Sequence, residues 1–242
     1  ARGIVHVSPN MPELNNSDLA GYFRKALGMP ARAANDVNAI AVAEYMLGSK
    51  GKKENWFCVT LGTGVGGGII IGGKLYTGSG DGAGEIGHMT IVHDGFRCAC
   101  GNRGCLERYI GAGPLADMAR EALKNGCKSV ILELAGGKPG LITPRALYDA
   151  AVRGDKLALS IWAKAGEYLG IAFANVINLL NPEKIIVGGG ISQAFRFMSP
   201  SMKRTIDSRA FKVLAADVRI KASELGDDAG LLGSAMLVWH GN

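Results

Sequence analysis

The chain has 242 residues and a formal net charge of +6, with 48% hydrophobic and 20% charged side chains. This composition can bury a sizeable core as one large domain or two small ones, and no apolar run approaches the roughly 18 residues that a membrane span needs. Lysine and arginine are scattered along the sequence. The densest basic run, at residues 50–53, has no interleaved aromatic residues, so we interpret it as a solvated loop and not as a nucleic-acid-binding surface.

Hydrophobic periodicity and capping residues predict strands and helices in alternation along the chain. Ser17 is a candidate N-cap for the first helix, and Gly28 ends that helix. In chain order, the predicted elements are a strand at residues 3–7, a helix at 18–27, a short strand ahead of Asn35, a helix at 37–47, strands at 56–61 and 69–76, helices at 113–125, 144–153 and 155–180, a strand at 184–187, a helix near 199–209, a strand at 218–222 and a helix at 231–239. This order is typical of packed α/β layers.

A glycine-rich stretch at residues 62–68 separates two β-type runs. Its glycines fit the pattern Gly-x-Gly-x-x-Gly, but a dinucleotide motif requires a helix next, and β-branched isoleucines follow instead. A glycine-lined strand, turn and strand can still bring backbone N–H groups against phosphate oxygens, and a plain β-hairpin with a glycine-rich tip is weighed equally. The candidate phosphate-binding residues here are Gly62, Thr63, Gly64 and Gly66.

Three of the five cysteines, Cys98, Cys100 and Cys105, fall within eight positions and lie ten to seventeen residues after His88. Thiolate and imidazole are ligands that zinc prefers, and four protein ligands leave no open position for water, so the spacing predicts a structural zinc ion. A neutral His88 that binds an ion through one nitrogen keeps an N–H on the other. The alternatives are a disulfide or a reduced cluster without a ligand role.

A second glycine cluster, Gly188, Gly189 and Gly190, lies between a predicted strand and a predicted helix. This order suits a nucleotide, because a ligand can rest on bare backbone at the carboxyl end of a strand. By itself the order is not specific, and the cluster is a candidate nucleotide-binding turn only together with the rest of the chain.

The string Glu85-x-x-His88, followed by Cys98-x-Cys100-Gly101-x-x-Gly104-Cys105-x-Glu107, resembles the signature of the ROK family (repressors, open reading frames, sugar kinases). The resemblance covers nearly all of the chain and is closest to the family's bacterial glucokinases. It implies an α/β, actin/hexokinase-like (ribonuclease H-like) two-lobed fold with a structural zinc loop. It also implies ATP-dependent phosphorylation of a hexose, first of all glucose to glucose 6-phosphate, with Mg accompanying ATP, in a homo-oligomer that is a dimer or a tetramer.

The resemblance further implies roles for individual polar residues. From the pattern alone, Asn35 or Asp36 is favoured as the cap of the helix that follows. The family's sugar-binding asparagine and catalytic aspartate match Asn35 and Asp36, which makes Asp36 the candidate general base. In the same way, Glu85, His88 and Glu107 match residues that bind sugar hydroxyls.

The expected division is residues 1–53 as the remainder of an N-terminal lobe, 54–227 as a C-terminal lobe with the zinc loop and glycine clusters, and 228–242 as a C-terminal helix that packs back on the N-terminal lobe. Polar residues 48–53 are the candidate hinge. The family's Asp-x-Gly-Gly-Thr hairpin, which binds phosphate and magnesium, does not occur in the sequence. The chain is therefore expected to be N-terminally incomplete and, alone, to bind a hexose weakly without transferring phosphate. Gly111 stands where the family usually has a serine.

Three hypotheses about function stay open. The first is a kinase for glucose, another hexose or an N-acetylated hexosamine, and the second is a sugar-responsive repressor of the same family with an upstream helix-turn-helix. The third is a non-catalytic, zinc-stabilised interaction module. Retention of Asp36 and of both glycine clusters favours the enzyme. Free thiols and the lack of a signal-peptide pattern predict a cytoplasmic protein.

Overall fold

The computed structural model describes residues 3–5 and 11–240. The chain begins with a short antiparallel pair, β1 (Ile4–Val5) and β2 (Ser17–Asp18), followed by helices α1 (Leu19–Leu27) and α2 (Asp36–Gly48). The predicted strand at residues 3–7 is thus confirmed at two residues, while residues 6 and 7 lie outside the described part.

Two predictions about this first segment are wrong. The side chain that caps α1 is Asp18 and not Ser17, because Asp18 Oδ1 accepts from Gly21 N at 2.8 Å whereas Ser17 Oγ donates to the Leu14 carbonyl. The described residues ahead of Asn35 also form no strand, and they reach α2 as irregular chain. The bounds predicted for α2 itself are confirmed to within one residue at each end.

After α2, the described residues form five strands and eight helices, with short 3-10 turns between them. The strands are β3 (Trp56–Leu61), β4 (Val65–Ile71), β5 (Lys74–Tyr76), β6 (Lys184–Gly188) and β7 (Arg219–Ala222). The helices are α3 (Glu107–Ile110), α4 (Ala112–Lys124), α5 (Ile131–Leu134), α6 (Pro144–Val152), α7 (Lys156–Leu180), α8 (Phe195–Arg209), α9 (Lys212–Ala215) and α10 (Ala229–His240). The one-turn helices α3, α5 and α9 were not predicted, since four residues give too short a pattern to recognise.

Strands β3 to β7 form one mixed sheet in the order β5-β4-β3-β6-β7. The pairs β3–β4 and β4–β5 are antiparallel, whereas β3–β6 and β6–β7 are parallel. Parallel pairing brings the carboxyl ends of β3, β6 and β7 to the same edge of the sheet, with Thr60 opposite Gly188. Both glycine clusters follow strands that end at this edge.

Alternate residues of β3 face opposite helical layers, as the two-residue period of a strand requires. Trp56 and Cys58 pack in a smaller core with α2 and α10. The intervening residues Phe57, Val59 and Leu61 belong to the larger core, which includes α7. Helices therefore cover both faces of the sheet, which explains why β3 is a continuous apolar run.

Glycines inside β4 allow α2 to lie close to the sheet. A Cβ atom at Gly68 would lie 2.6 Å from Ala41 Cβ, and one at Gly66 would lie 2.5 Å from Val37 Cγ2. Sequence analysis assigned residues 62–68 to a single glycine-rich turn, and the structure corrects this: only residues 62–64 connect the strands, while the next three glycines are part of β4.

Helix α8 begins at Phe195, four residues before the predicted start, and it contains Pro200. Proline cannot donate to the carbonyl four residues earlier, which normally ends or bends a helix. Here that carbonyl belongs to Arg196 and accepts from Ser199 Oγ at 3.5 Å. A neighbouring hydroxyl thus substitutes for the missing backbone donor.

The last helix, α10, packs mainly against α2, and α2 packs against β3 and β4. The predicted boundary at residue 53 therefore separates elements that share the smaller core, and the division into lobes stays a prediction. Among the helices in the described part of the chain, none combines the length and apolarity needed to cross a bilayer.

We expect Gly68→Ala to lower the free energy of unfolding by about 1–3 kcal/mol, because the new methyl group would overlap Ala41 and approach the Val37 carbonyl oxygen to 3.1 Å. Urea denaturation followed by circular dichroism measures the change. Gly80→Ala is the control, since a Cβ there meets nothing within 4 Å, and it should shift stability by less than about 0.5 kcal/mol. Equal stabilities for the two variants would contradict the close packing.

Candidate functional site

The four predicted metal ligands converge in the structure. One ligand atom from each of His88, Cys98, Cys100 and Cys105 lies within 4.8 Å of the others. Cys98 Sγ is 3.7 Å from His88 Nδ1, and the sulfur atoms of Cys100 and Cys105 are also 3.7 Å apart. Thiolates about 2.3 Å from a tetrahedral ion are roughly 3.8 Å from one another, so the donor set fits zinc. A disulfide requires about 2.05 Å, which the distance between Cys100 and Cys105 excludes.

Backbone pairing holds the thiols in place. Cys105 pairs with Thr90 in an isolated antiparallel bridge, and Cys98 N donates to the Asn102 carbonyl at 2.8 Å. The loop therefore presents its sulfur atoms to one point through its own hydrogen bonds.

The thiols of the cluster differ in acidity. Hydrogen bonding from the Asn102 backbone, helped by the neighbouring thiols, lowers the pKa of Cys100. Burial raises the pKa of Cys105 to about 12. An ion that binds all three sulfurs must displace the Cys105 proton, so metal binding and proton release are linked. The Nδ1 atom of His88 faces the sulfurs, which leaves Nε2 for other contacts.

Asn35 and Asp36 occupy the exposed N-terminus of α2. Asn35 is the N-cap, and its Oδ1 accepts from Val37 N at 3.0 Å and Asn38 N at 3.1 Å. Asp36 Oδ1 accepts from Val37 N at 2.9 Å. The cap uses only the amide oxygen of Asn35.

Glu107 connects the cysteine-rich loop to the turn between β3 and β4. Its Oε2 accepts from Val65 N at 3.0 Å, directly after residues 62–64. The junction between α3 and α4 adds a second bond, since Ala112 N donates to the Gly62 carbonyl at 3.0 Å. A predicted sugar-binding carboxylate and a predicted phosphate-binding turn are therefore in direct contact.

The first residues of β4 are the meeting point of the sugar-binding candidates. Val37 packs on Gly66, the turn Ile86–His88 packs against β4, and Glu107 accepts from Val65 N. Each candidate is one of these residues or lies within two residues of one: Asn35, Asp36, Glu85, His88 and Glu107. Residues from three separate parts of the chain thus surround one strand end.

The two glycine clusters are also adjacent. A Cβ atom at Gly189, which has a φ of +82°, would lie 2.4 Å from the Leu61 carbonyl oxygen. Leu61 directly precedes Gly62, so the turn after β6 packs against the end of β3. The sequence predicted each cluster separately, and the structure brings both to one edge of the sheet.

A cleft of about 420 Å³ opens at the carboxyl ends of β6 and β7. Of the predicted nucleotide-binding residues, only Gly189 and Gly190 line it. Gly62, Thr63, Gly64, Gly66 and Gly188 do not. The remaining lining residues, which sequence analysis missed, are Tyr148, Ser192, Gln193, Phe195, Arg196, Ala222, Ser223, Gly226 and Asp227.

Some of these missed residues could have been assigned to the cleft from neighbouring sequence motifs, and others could not. Ser192 and Gln193 follow the predicted glycine turn, so they could have been assigned with it. Tyr148 comes from α6, and the Arg196 Cζ atom lies 5.6 Å from its ring centroid. A cation–π contact between two helices far apart in sequence leaves no local pattern.

Comparison with known proteins agrees with this geometry. Residues 1–240 match the sequence model of the ROK family. A glucokinase from Thermotoga maritima is 36% identical over 237 residues, which are 98% of this chain and 74% of the relative. The matched length is therefore about three quarters of that protein.

Two solved structures show the same fold. A ROK family glucokinase from Streptomyces griseus, solved with glucose and AMPPNP, has a TM-score of 0.88 and 31% identity over 98% of this chain and 76% of its own. A ROK family transcriptional regulator, a homologue of the E. coli MLC protein, has a TM-score of 0.89 and 34% identity over 99% of this chain and 59% of its own. These likenesses confirm the predicted actin/hexokinase-like α/β fold.

We expect Glu107→Ala to expose the Val65 amide to exchange, because the variant removes the carboxylate that accepts from it. A hydrogen bond to a charged group contributes about 1.5–3 kcal/mol, which corresponds to at least about tenfold faster exchange. Amide hydrogen exchange followed by NMR measures the effect. Glu121→Ala, at an exposed carboxylate on α4, should leave Val65 unchanged. Unaltered protection in Glu107→Ala would show that the bond does not hold the connection.

Proposed function

Since the chain belongs to the ROK family, we propose that the protein is a sugar kinase that transfers phosphate from ATP to a hexose, with glucose as the first choice and glucose 6-phosphate as the product. The proposal is supported by the likeness to the T. maritima glucokinase and to the S. griseus glucokinase solved with glucose and AMPPNP. Glucose is the first choice because the T. maritima relative is named a glucokinase.

The observation that carries the proposal is the contact between Glu107 and the connection of β3 with β4. The carboxylate of a sugar-binding candidate accepts from Val65 N, beside the glycines proposed to approach phosphate. Phosphoryl transfer depends on alignment of the hydroxyl with the phosphate, and this contact gives both binding regions a shared support.

In this proposal, Asp36 accepts the proton of the attacking sugar hydroxyl. Its carboxylate lies at the N-terminus of α2, beside the asparagine proposed to bind the sugar. The amide nitrogen of Asn35 and Nε2 of His88 donate to other hydroxyls, while Glu85 and Glu107 accept from them. Carboxylates suit a polyol, because each one holds hydroxyl donors in fixed directions.

The phosphates of ATP are assigned to the glycine edge of the sheet, at Gly62, Thr63, Gly64, Gly66, Gly188, Gly189 and Gly190. Backbone N–H groups there can approach phosphate oxygens without interference from side chains. The nucleoside is assigned to the cleft, where the Tyr148 ring and the Arg196 guanidinium offer flat surfaces for a base. Mg²⁺ would accompany ATP and neutralise phosphate charge.

The proposed zinc ion is structural, held by His88, Cys98, Cys100 and Cys105. A site with four protein ligands has no open position, so the ion would stabilise the loop between Glu85 and Glu107 without acting on the substrate. Nε2 of His88 would then carry the proton and face the sugar.

The alternative function is sugar-responsive regulation of transcription. The likeness to a ROK family transcriptional regulator with a TM-score of 0.89 favours it. A regulator needs the sugar-binding residues and the zinc loop, but it has no use for a general base beside a phosphate-binding edge. Turnover of a hexose with ATP decides between the two. The division into lobes near residue 53, assembly as a dimer or tetramer, and a cytoplasmic location stay predictions that accompany the kinase proposal.

We expect the purified protein to contain about one equivalent of zinc by elemental analysis. Cys105→Ser should release the ion, lower the melting temperature and weaken sugar binding, because zinc binding stabilises the folded loop. Cys127→Ser is the matched control, since Cys127 is exposed and lies outside the cluster. Protein without zinc, or full zinc retention in Cys105→Ser, would contradict the assignment.

We expect Asp36→Asn to lower kcat by about 10²-fold or more, because the amide keeps the shape of the side chain but cannot accept the proton. Sugar affinity should change only a few fold. The assay measures ATP-dependent phosphorylation of glucose, mannose and N-acetylated hexosamines by the protein at its natural length. Asp207→Asn, at an exposed ion pair on α8, should keep the original kcat.

If kcat of Asp36→Asn stayed within a few fold of the original value, Asp36 would have only a structural role at the start of α2 and would not be the general base. A protein that binds hexose but phosphorylates no sugar of the panel would favour the regulator.

A further inference from the structure

A buried carboxyl joins α2 to the wall of the cleft. Glu44 lies two turns beyond Asp36 on α2, with 6% of its surface exposed. Ser223, the first residue after β7, donates its hydroxyl to Glu44 Oε1 and also lines the cleft. The helix that begins with the sugar-binding candidates is therefore hydrogen-bonded to the proposed nucleotide site.

Ser223 is firmly fixed at the end of the sheet. Its backbone N donates to the Val187 carbonyl at 2.8 Å, which extends the pairing of β6 and β7 by one residue. Its Oγ also accepts from Leu225 N at 3.1 Å. The hydroxyl thus acts as donor to Glu44 and acceptor from Leu225, so its orientation is determined by both partners.

The surroundings of Glu44 give little support to a charge. Burial raises the pKa of this carboxyl, while the hydrogen bond from Ser223 and the charge of Lys221 act against that rise, and Glu224 adds to it. Besides burial, a negative charge on Glu44 would also raise the pKa of the Cys58 thiol on β3. Apolar side chains of the same volume often stabilise such positions as well as or better than buried polar groups. The carboxyl of Glu44 is explained by its hydrogen bond with Ser223, which joins α2 to the end of β7.

We propose that the hydrogen bond between Glu44 and Ser223 couples nucleotide binding to sugar binding, with both side chains acting as positioning residues. This inference rests on the proposed kinase function. A nucleotide in the cleft would shift the end of β7, and Ser223 would transmit that shift to Glu44. Because α2 is a continuous helix, Glu44 and Asp36 move together across about 12 Å.

Coupling of this kind is reciprocal, so a nucleotide that tightens sugar binding is itself bound more tightly by the sugar complex. Typical coupling factors between two sites are about 5-fold to 150-fold. Loss of the hydrogen bond should therefore lower the coupling factor. Loss of stability alone would leave this ratio unchanged, which separates a positioning role from a purely structural one.

The test measures the affinity for glucose by calorimetry with and without saturating ADP. We expect ADP to tighten glucose binding by about fivefold or more in the original protein. Glu44→Leu should reduce the factor to below about twofold, because leucine fills the site but cannot accept from Ser223. Glu44→Gln should keep most of the coupling, since its amide oxygen can still accept. Glu121→Gln, at an exposed carboxylate on α4 that does not line the cleft, is the matched control.

Ser223→Ala removes the donor to Glu44 together with the acceptor for Leu225 N, and it serves if Glu44→Leu folds poorly. The double variant should lose no more coupling than either single variant, because the two side chains act through one bond. The inference would be overturned if both single variants kept the coupling factor of the original protein. It would also be overturned if the loss of coupling in the double variant equalled the sum of the two single losses. Binding of both ligands without coupling in the original protein would overturn this inference alone. Absence of binding of either ligand would overturn the proposed function as well.

Discussion

The packing of α2 against β4 determines where the candidate groups of the site lie. Gly66 and Gly68 present only hydrogen atoms to the helix, so Val37 and Ala41 can rest on the strand backbone. Larger residues would push α2 outward and carry Asn35 and Asp36 away with it. Because the opposite face of β4 contacts the turn Ile86–His88, this strand lies between the residues proposed for proton transfer and those proposed for hydroxyl binding.

The zinc loop reaches the same strand through Glu107. Cys105 belongs to the metal cluster, and Glu107, two residues later, accepts from Val65 N at the start of β4. Any change that loosens the cysteine loop therefore acts on the connection of β3 with β4 within a few bonds. The proposed structural ion would in this way affect the regions proposed for sugar and for phosphate without contacting either reactant.

Local patterns made part of this arrangement predictable. The spacing of the cysteines and His88 was sufficient for the metal cluster, because all four ligands lie within eighteen consecutive residues. Helix α7 was predicted at residues 155–180, and the structure has it at Lys156–Leu180 with Asp155 as the N-cap. Sequence analysis assigned the cap of α1 to Ser17, but the hydrogen bond from Gly21 N makes Asp18 the cap, and residue type alone does not separate serine from aspartate at this position. The start of α8 was predicted near residue 199, whereas the helix begins at Phe195 and continues through Pro200.

Long-range contacts had no comparable signal, and Glu44 illustrates the reason. In the sequence it is an ordinary charged residue on a helix, for which a solvated position is the usual expectation. Its burial arises because the sheet covers one side of α2 while α10, nearly two hundred residues later, packs on another. With no route to solvent, the carboxyl needs a donor from the protein, and Ser223 supplies it across 179 positions of sequence. Separating α2 from the end of β7 would leave a buried polar group unpaired, so the two elements are expected to move as one.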